Sequence, residues 1–536
     1  MKDRVKQLLD ESVSVKSFTN TEMERDIETF LIEKIGEISY FKTRPEYFGS
    51  YGIEGDYHGR SVVWALVDHG FKDTVVFFHH HDTVDVEDYG RFSEIAFDNE
   101  KLKEAYRHLP FSENVKKDID SPHWHFGRGT ADMKAALALQ LTVIEEYSRS
   151  KSPKVNVLYL SVCDEESYSK GMRAAIGLLD ELKKTYDLNY ILAIDSEPFE
   201  SEREDEKVLH VGSVGKLMPV IVTQGILSHI KEPLHGMNAI SLLVKVADKI
   251  DLHPELAEEA GDQKSPLPSW SYLRDMKEQY DVSTALRASG YFSILYLQRS
   301  PKDLLEIVKN LCEEAMEEYY DNYSKLQKQY AVTKVNPKPK VMFFEELLEL
   351  CKMKEGFGPY YETLCLKAKE ASVEGEGYQD ITISLICDLL DFYDTKDPLV
   401  LIAIAPPYYP ALRSRDIEGK GVIIQKIERH YRDYLSRVHG ANLKAEEYFM
   451  GICDISYCGL DKPAEEYKAV LESMAIDKEL YNIDFDTLGQ LNIPGINLGP
   501  WGKDLHKLTE RVYEKDAFEL VPEYLLYLLE HMNELK

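Results

Sequence analysis

The chain contains, from residue 75 onward, the stretch Val75-Val76-Phe77-Phe78-His79-His80-His81-Asp82-Thr83-Val84. Its four leading apolar residues, two of them β-branched, are typical of a strand buried on both faces of a parallel sheet. Three histidines and an aspartate follow directly. In open α/β sheets the ligand crevice lies outside the carboxyl ends of the strands, and divalent transition metals favour imidazole and carboxylate ligands. The stretch therefore predicts a metal site at a strand end, with a surface histidine cluster as the alternative.

Strands alternate with helices around this stretch. Apolar, strand-like runs lie at 61–67, 155–162 and 190–194, and helical patterns lie at 135–147 and 171–186. This alternation predicts a doubly wound α/β domain with a parallel sheet.

The pattern changes after a polar interval at 200–207. The following elements are predicted as a strand, a helix, one or two strands, a long helix and an edge strand, at 214–223, 239–250, 283–297, 301–329 and 332–344. The order β-α-β-β-α-β is ferredoxin-like. We therefore expect a catalytic domain formed by 1–209 and 346–536, with an inserted domain at 210–345.

Length and composition exclude several classes of protein. At 536 residues the chain is too long for one core. The net charge of −30 argues against a general nucleic-acid binder. The sequence contains no apolar run of about 18 residues, so it predicts no membrane-spanning segment. The N-terminal residues lack a signal-peptide core, and the seven cysteines form no CxxC pair. This pattern predicts free thiols in a cytoplasmic protein.

Several ligand-type side chains recur at strand ends and on a glycine-rich loop. They are His80 and Asp82, Asp132 in the loop 127–134, Glu165 and Glu166, Glu197 or Asp195, and His506 after a Gly-Pro turn. Because the carboxyl ends of parallel strands meet at one sheet edge, these side chains are expected to converge. Strand alternation puts His81 on the opposite face from His80.

These motifs resemble those of peptidase family M-20, which comprises cocatalytic zinc exopeptidases and amidohydrolases. The family signatures HxD, GRGxxDmK, DEE, EP and a late histidine after GP occur in order, at 80–82, 127–134, 164–166, 197–198 and 499–506. The tail at 499–512 and the loop at 405–410 look like those of the branch of arginine-utilization protein RocB. The resemblance implies a doubly wound zinc-exopeptidase catalytic domain with an inserted ferredoxin-like α+β lid domain.

The resemblance also implies a ligand set. Two zinc ions would be bridged by Asp132; His80 and Glu197 would complete the first site, and Glu166 and His506 the second. Cobalt or manganese could replace zinc. The Glu-Pro pattern favours Glu197 over Asp195.

Two further roles follow for residues next to the ligands. Glu165 would be the general base and acid of the reaction. Asp82 would orient the His80 imidazole.

The inserted domain carries the segments Gly225–His229 and Gly236–Ala239, which resemble the family's lid motif. In that family the lid histidine, here His229, reaches the partner subunit's active site and stabilises an oxyanion. The resemblance therefore implies a homodimer formed through the lid, with Asn238 as a substrate-binding residue. The alternative for His229 is a strand-capping or surface role, and His235 lies close by.

The expected function is hydrolysis of an amide bond in an N-acyl amino acid or short peptide, in arginine or amino-acid catabolism. One alternative is a dipeptidase or aminopeptidase acting on free-amine peptides. Another is a non-catalytic regulator that retains the fold. The sequence has no GxSxG elbow and no phosphate-binding loop, which argues against other hydrolase and nucleotide-binding classes.

Overall fold

The structure, a computed structural model, describes residues 1–277 and 279–535. The chain forms two compact units. The first consists of Met1–Ser213, Leu412–Asp461 and Asp486–Lys536, and the second of Val214–Ala411 and Lys462–Phe485.

The first unit is built on a mixed eight-stranded sheet. Its strand order is Phe48–Gly52, Ser61–Val67, Asn156–Val162, Asp73–His80, Asn189–Asp195, Gly495–Asn497, Glu206–His210 and Asn442–Glu446. The strand Asp73–His80, here called the histidine strand, lies between two parallel neighbours, Asn156–Val162 and Asn189–Asp195. Antiparallel strands extend the sheet beyond this parallel centre. The predicted α/β fold class is confirmed, with a sheet that is mixed rather than wholly parallel.

Helices cover the sheet of the first unit. Those lying wholly or mostly in this unit are Lys2–Ser14, Glu24–Glu37, Ser39–Lys42, Asn99–Tyr106, Glu113–Asp120, Ala135–Tyr147, Lys170–Tyr186, Gly421–Tyr434, Phe485–Leu491 and Val521–Leu535. Ala135–Tyr147 is apolar on almost every side and accordingly buried. It packs between the sheet and the first and last of these helices.

A small three-stranded sheet brings two loops of the first unit together. Its order is Gly502–Lys503, Arg511–Tyr513 and Trp124–Phe126. The pairing of Arg511 with Phe126 sets the loop 127–134 beside the segment 504–510. Both segments carry predicted metal ligands.

The second unit has its own sheet and helices. The main strands are ordered Ser269–Asp275, Arg287–Tyr296, Pro219–Gln224, Leu399–Ile404 and Lys340–Phe343, with Gly215–Leu217 pairing to Arg287–Tyr296. The helices are Ala239–Ile250, Pro301–Gln329, Phe344–Lys352, Phe357–Val373, Tyr378–Tyr393 and Ala464–Glu472.

The predicted β-α-β-β-α-β order occurs between residues 219 and 343, but its last strand is displaced. Leu399–Ile404 pairs antiparallel with Pro219–Gln224 and takes the position of the fourth ferredoxin-like strand. Lys340–Phe343 lies parallel to it at the sheet edge. Three helices between residues 344 and 393 connect these two strands.

This arrangement differs from the expected domain boundary at 346. Residues 346–411 belong to the second unit rather than to the catalytic domain. The physical reason is that Leu399–Ile404 is buried along its whole length and hydrogen-bonds within the second sheet. Within residues 1–277 and 279–535, no helix combines the length and apolarity needed to cross a membrane.

The burial of the histidine strand leads to a prediction about stability. Phe77 is fully buried in the main core, whereas Phe71 is 38% exposed. We expect Phe77→Ala to destabilise the first unit by about 3–5 kcal/mol because it removes buried contacts and leaves a cavity. Urea denaturation measures the loss. Phe71→Ala is the control and should change the midpoint little; equal shifts in the two variants would contradict this account of the core.

Candidate metal centre

The three consecutive histidines point to different surroundings. His79 Nδ1 lies 3.0 Å from Gln140 Oε1, and His81 Nδ1 lies 2.9 Å from Ser161 Oγ. Only His80 of the three turns towards the carboxylate cluster, with Nε2 at 3.0 Å from Asp132 Oδ1. Alternation along the chain accounts for the separation of His80 from its two neighbours.

Asp132 lies between two histidines. Its Oδ1 is 3.0 Å from His80 Nε2, and its Oδ2 is 3.1 Å from His506 Nε2. His506 Nε2 is also 3.0 Å from Glu166 Oε1. One carboxylate therefore offers a separate oxygen to each of two imidazoles, an arrangement suited to bridging two cations.

Two groups of ligand atoms overlap at His80. In one, His80, Glu165 and Glu197 each offer an atom, all within 4.8 Å of one another. In the other, His80, Asp132 and Glu166 do the same. All these side chains are imidazoles or carboxylates, a donor set that fits divalent transition metals.

Asp82 contacts both the His80 ring and the backbone of Glu165 and Glu166. Its Oδ1 lies 3.4 Å from His80 Nδ1, and its backbone oxygen lies 3.0 Å from the same atom. Its two carboxylate oxygens also accept the backbone N–H groups of Glu165 and Glu166, each at 3.1 Å. This fully buried side chain therefore fixes both the imidazole and the Glu165-Glu166 backbone.

Glu197 contacts the His80 imidazole, whereas Asp195 bonds to the backbone of its own segment. Glu197 Oε1 lies 3.4 Å from His80 Nε2. Asp195 Oδ1 instead accepts the backbone N–H of Ser196 at 2.8 Å, and Asp195 belongs to neither ligand group found among the described residues. A Cβ at Gly499 would lie 2.1 Å from the Glu197 carbonyl oxygen, so only glycine allows the late loop to approach this segment.

Burial dominates the electrostatics of the acidic ligands. It raises the pKa of Glu166 and of Glu197 to about 7, with the charge of Asp132 acting in the same direction. Burial also raises the pKa of Glu165 well above its usual range.

The pKa values of the two histidines are raised as well. Hydrogen bonds to Asp132 and Glu166 raise the pKa of His506 to about 11. Burial opposes protonation of His80, but its hydrogen bonds to Asp132, Asp82 and Glu197 hold its pKa well above the usual value. The buried negative charge of this cluster thus favours cations at its centre.

A buried charge network beneath the site was missed by sequence reasoning. Arg60 Nη1 pairs with Glu24 at 2.7 Å and with Asp164 at 2.8 Å, and Arg60 Nη2 pairs with Asp56 at 2.8 Å. Glu24 also accepts the backbone N–H of Asp164 at 2.8 Å. This network fixes the start of the 164–166 segment, and no local pattern marks partners so far apart in the chain.

Asp454 is a second residue that sequence reasoning did not single out. It is buried at the start of the short helical turn Asp454–Tyr457. Burial raises its pKa to about 7, and its charge in turn raises the pKa of Glu165 and Asp195. It therefore adds negative charge behind the ligand groups.

The predicted lid residues lie in the second unit. His229 is exposed, and its Nδ1 accepts the backbone N–H of Lys231 at 3.1 Å. Asn238 caps the helix Ala239–Ile250, because its side-chain oxygen accepts the N–H of Ile240 at 3.1 Å. His235 lies 3.7 Å from Glu232.

The raised pKa values predict how metal binding depends on pH. The pKa values of Glu166 and Glu197 rise from 4.5 to about 7 on folding. Between pH 4.5 and about pH 7 the metal-free folded state therefore holds more protons on these groups than the unfolded state. The contribution of these two carboxyls to the stability of the metal-free state therefore falls as pH rises through that window. A divalent cation favours the ionised carboxylates, so the metal-induced rise in Tm should be larger at about pH 7.5 than at about pH 5. Thermal unfolding with and without zinc measures this.

The double variant Glu166→Gln/Glu197→Gln provides the control for that pH dependence. In this variant, the metal-induced rise in Tm should be nearly the same at about pH 7.5 and at about pH 5. An equal rise in Tm at both pH values in the unchanged protein would contradict the prediction.

The chain is similar to known proteins over most of its length. The sequence model of peptidase family M20/M25/M40 matches residues 76–523. Protein YqjN of Bacillus subtilis (strain 168) is 29% identical over 539 residues, covering 98% of this chain and 96% of that protein. Protein RocB of the same strain is 28% identical over 531 residues, covering 97% and 93%.

A solved structure with the same fold is that of a tripeptidase from Staphylococcus aureus. It has a TM-score of 0.55 and 14% sequence identity, with 100% of this chain and 99% of that chain covered. The family match spans most of the chain and includes every candidate ligand from His80 to His506. The chain therefore belongs to peptidase family M20/M25/M40 and is a metal-dependent hydrolase of the M20 type.

Proposed function

We propose that this protein is a dinuclear zinc hydrolase that cleaves an amide bond of an N-acyl amino acid or a short peptide. The observation that carries the proposal is Asp132, whose two carboxylate oxygens each face a different histidine. His80 and Glu197 would complete one ion's ligands. Glu166 and His506 would complete the other's.

This ligand set suits catalysis as well as binding. Each ion would have three protein ligands, which leaves a position for water. Two bound ions would supply a water of lowered pKa and a polarised substrate carbonyl. Imidazole and carboxylate ligands suit zinc, and cobalt or manganese would also fit.

Glu165 is the proposed general base and acid. Its Oε2 lies 4.0 Å from His80 Nε2, farther from that nitrogen than Asp132 Oδ1 or Glu197 Oε1. Burial raises the pKa of this carboxyl, which suits a group that first accepts a proton and then releases it. It would take the proton of the attacking water and return it to the leaving nitrogen, while Asp82 holds its backbone in place.

The substrate assignment rests on resemblance. The tail at 499–512 and the overall similarity to RocB support a role in arginine or amino-acid catabolism. A second candidate is a dipeptidase or aminopeptidase that would use the same proposed site on free-amine peptides. A non-catalytic regulator is disfavoured because all five proposed ligands and the base are present.

A homodimer formed through the second unit is part of the proposal. Leu227 and Ile230, on either side of His229, are 56% and 59% exposed. Ile240 and Val244 form an exposed apolar pair one helical turn apart. A second copy that covers these residues would bring His229 to the partner's active site, where it could stabilise an oxyanion.

The proposed location is the cytoplasm. The seven cysteines are all free thiols, which supports this location.

Substitution of the base tests the catalytic assignment. Glu165→Gln should lower kcat by about 100- to 10,000-fold because the general base is lost, while metal analysis still finds about two zinc ions per chain. A hydrolysis screen with N-acyl amino acids and free-amine dipeptides measures the activity and shows which of the two substrate classes is cleaved. The exposed Glu87→Gln is the control and should be fully active. Wild-type protein that stays inactive after zinc is added back would favour the regulator.

Mixing two inactive variants tests the dimer. We expect Glu165→Gln and His229→Ala each to be inactive alone. A mixed dimer regains one complete site, so co-refolding equal amounts should restore about a quarter of wild-type activity. Activity assays after co-refolding, with molecular mass measured by light scattering, give the result. Mixtures that remain inactive although mixed dimers form would contradict action across the dimer.

A further inference from the structure

We propose that Glu510 and Arg128 form a positioning pair that sets the metal affinity of the site. The pair links the three segments that carry His80, Asp132 and His506. The inference rests on the proposed dinuclear site. Neither residue is itself a predicted ligand.

Glu510 holds the loop that carries the bridging aspartate. Its Oε1 accepts the backbone N–H groups of Ala131 and Asp132 at 3.1 and 3.3 Å. Its own backbone oxygen accepts the N–H of Gly127 at 3.1 Å. The side chain is completely buried, so water does not compete for these bonds. Glu510 therefore fixes both the beginning of this loop and its ligand.

Arg128 extends the same link to the segment that follows the histidine strand. Its Nη1 donates to Glu510 Oε2 at 2.6 Å, its Nε to the Asp85 carbonyl oxygen at 2.9 Å, and its Nη2 to Asp88 Oδ1 at 2.7 Å. The guanidinium is planar and its donors have fixed directions. Because Asp85 and Asp88 lie just after His80 and Asp82 in the chain, Arg128 joins the first ligand segment to Glu510.

The third segment is the one that contains both His506 and Glu510. It is braced by Asp504 Oδ2, which accepts from Thr509 Oγ1 at 2.8 Å and from Arg511 Nη1 at 2.6 Å. These bonds close a short loop around the intervening residues. The position of Glu510 and the position of His506 are therefore coupled.

A change in this pair should act on the metal rather than on the reaction step. Metal ligands must lie within a few tenths of an ångström of their preferred distances. Partners that orient ligands from outside typically change metal affinity by about 10- to 100-fold when they are removed. Since Glu510 binds the Asp132 backbone and not its carboxylate, its loss should leave the ligands present but misplaced.

The experiment compares Glu510→Ala with Glu510→Gln. Binding of Co²⁺ is followed by its visible spectrum, and Zn²⁺ affinity by competition with a chelator. Glu510→Ala should lose about 10- to 100-fold in affinity for the more weakly held ion. Glu510→Gln keeps an acceptor for the two N–H groups and should recover part of this loss. With saturating zinc, kcat should return to within a few fold of wild type with KM unchanged.

Asp516→Asn is the matched control. Asp516 forms a buried ion pair with Lys207 at 2.8 Å in the same unit, without contact to the loop 127–134 among the described bonds. It should lower Tm as any broken buried pair does, but leave the affinity for both ions unchanged. Equal loss of metal affinity in this control would mean that general destabilisation explains the effect, and would overturn the proposal.

Other outcomes separate this inference from the proposed function. Wild-type affinity and an unchanged Co²⁺ spectrum in folded Glu510→Ala would overturn the positioning role alone. Wild-type protein that binds fewer than two ions would overturn the dinuclear site itself. If Glu510→Ala fails to fold, Arg128→Lys replaces it. This variant keeps a charge opposite Glu510 but loses the fork to Asp85 and Asp88, so wild-type metal affinity in it would contradict the inference.

Discussion

The first unit depends on the burial of several carboxylates at the ends of parallel strands. Asp132, Glu165, Glu166 and Glu197 lie within a few ångströms of His80 or His506, and burial or neighbouring negative charge raises the pKa of most of them. Such a cluster is unfavourable in a low-dielectric interior unless cations offset it. Two imidazoles offset part of the charge, and two divalent ions would offset the remainder. The charge that makes such a cluster costly by itself would therefore favour the binding of metal ions there.

Side chains outside the cluster determine its shape. Asp82 fixes the His80 ring and the backbone of the two adjacent glutamates, and Arg60 fixes Asp164 just before them. The candidate ligands come mainly from strand ends and loops, where the ladder hydrogen bonds of the sheet no longer hold the backbone. Buried, charge-assisted hydrogen bonds replace the ladder at these positions. Polar contacts therefore position most of the candidate ligands where regular secondary structure ends.

The second unit shows how a familiar topology can be completed by a distant segment. The strand Leu399–Ile404 occupies the fourth position of a ferredoxin-like sheet, although three helices precede it in the chain. Its apolar side chains are buried on both faces, which explains why it is accommodated inside the sheet. The shorter strand Lys340–Phe343, preceded by two prolines, remains at the edge.

The sequence by itself determined the features that leave a local pattern. The run 75–84 specified a buried strand that ends in candidate ligands, and alternation along it distinguished His80 from His81. The order of motifs specified the family and the candidate ligands.

Only the tertiary structure decided the contacts between distant segments. It separated Glu197 from Asp195, assigned 346–411 to the second unit, and joined Arg60 to Glu24 and Asp164. It also joined Glu510 to the Asp132 loop across 378 residues of chain. Periodicity records which face of an element is buried, but it carries no record of which distant charge lies against that face. Such pairs become visible only when the chain is folded.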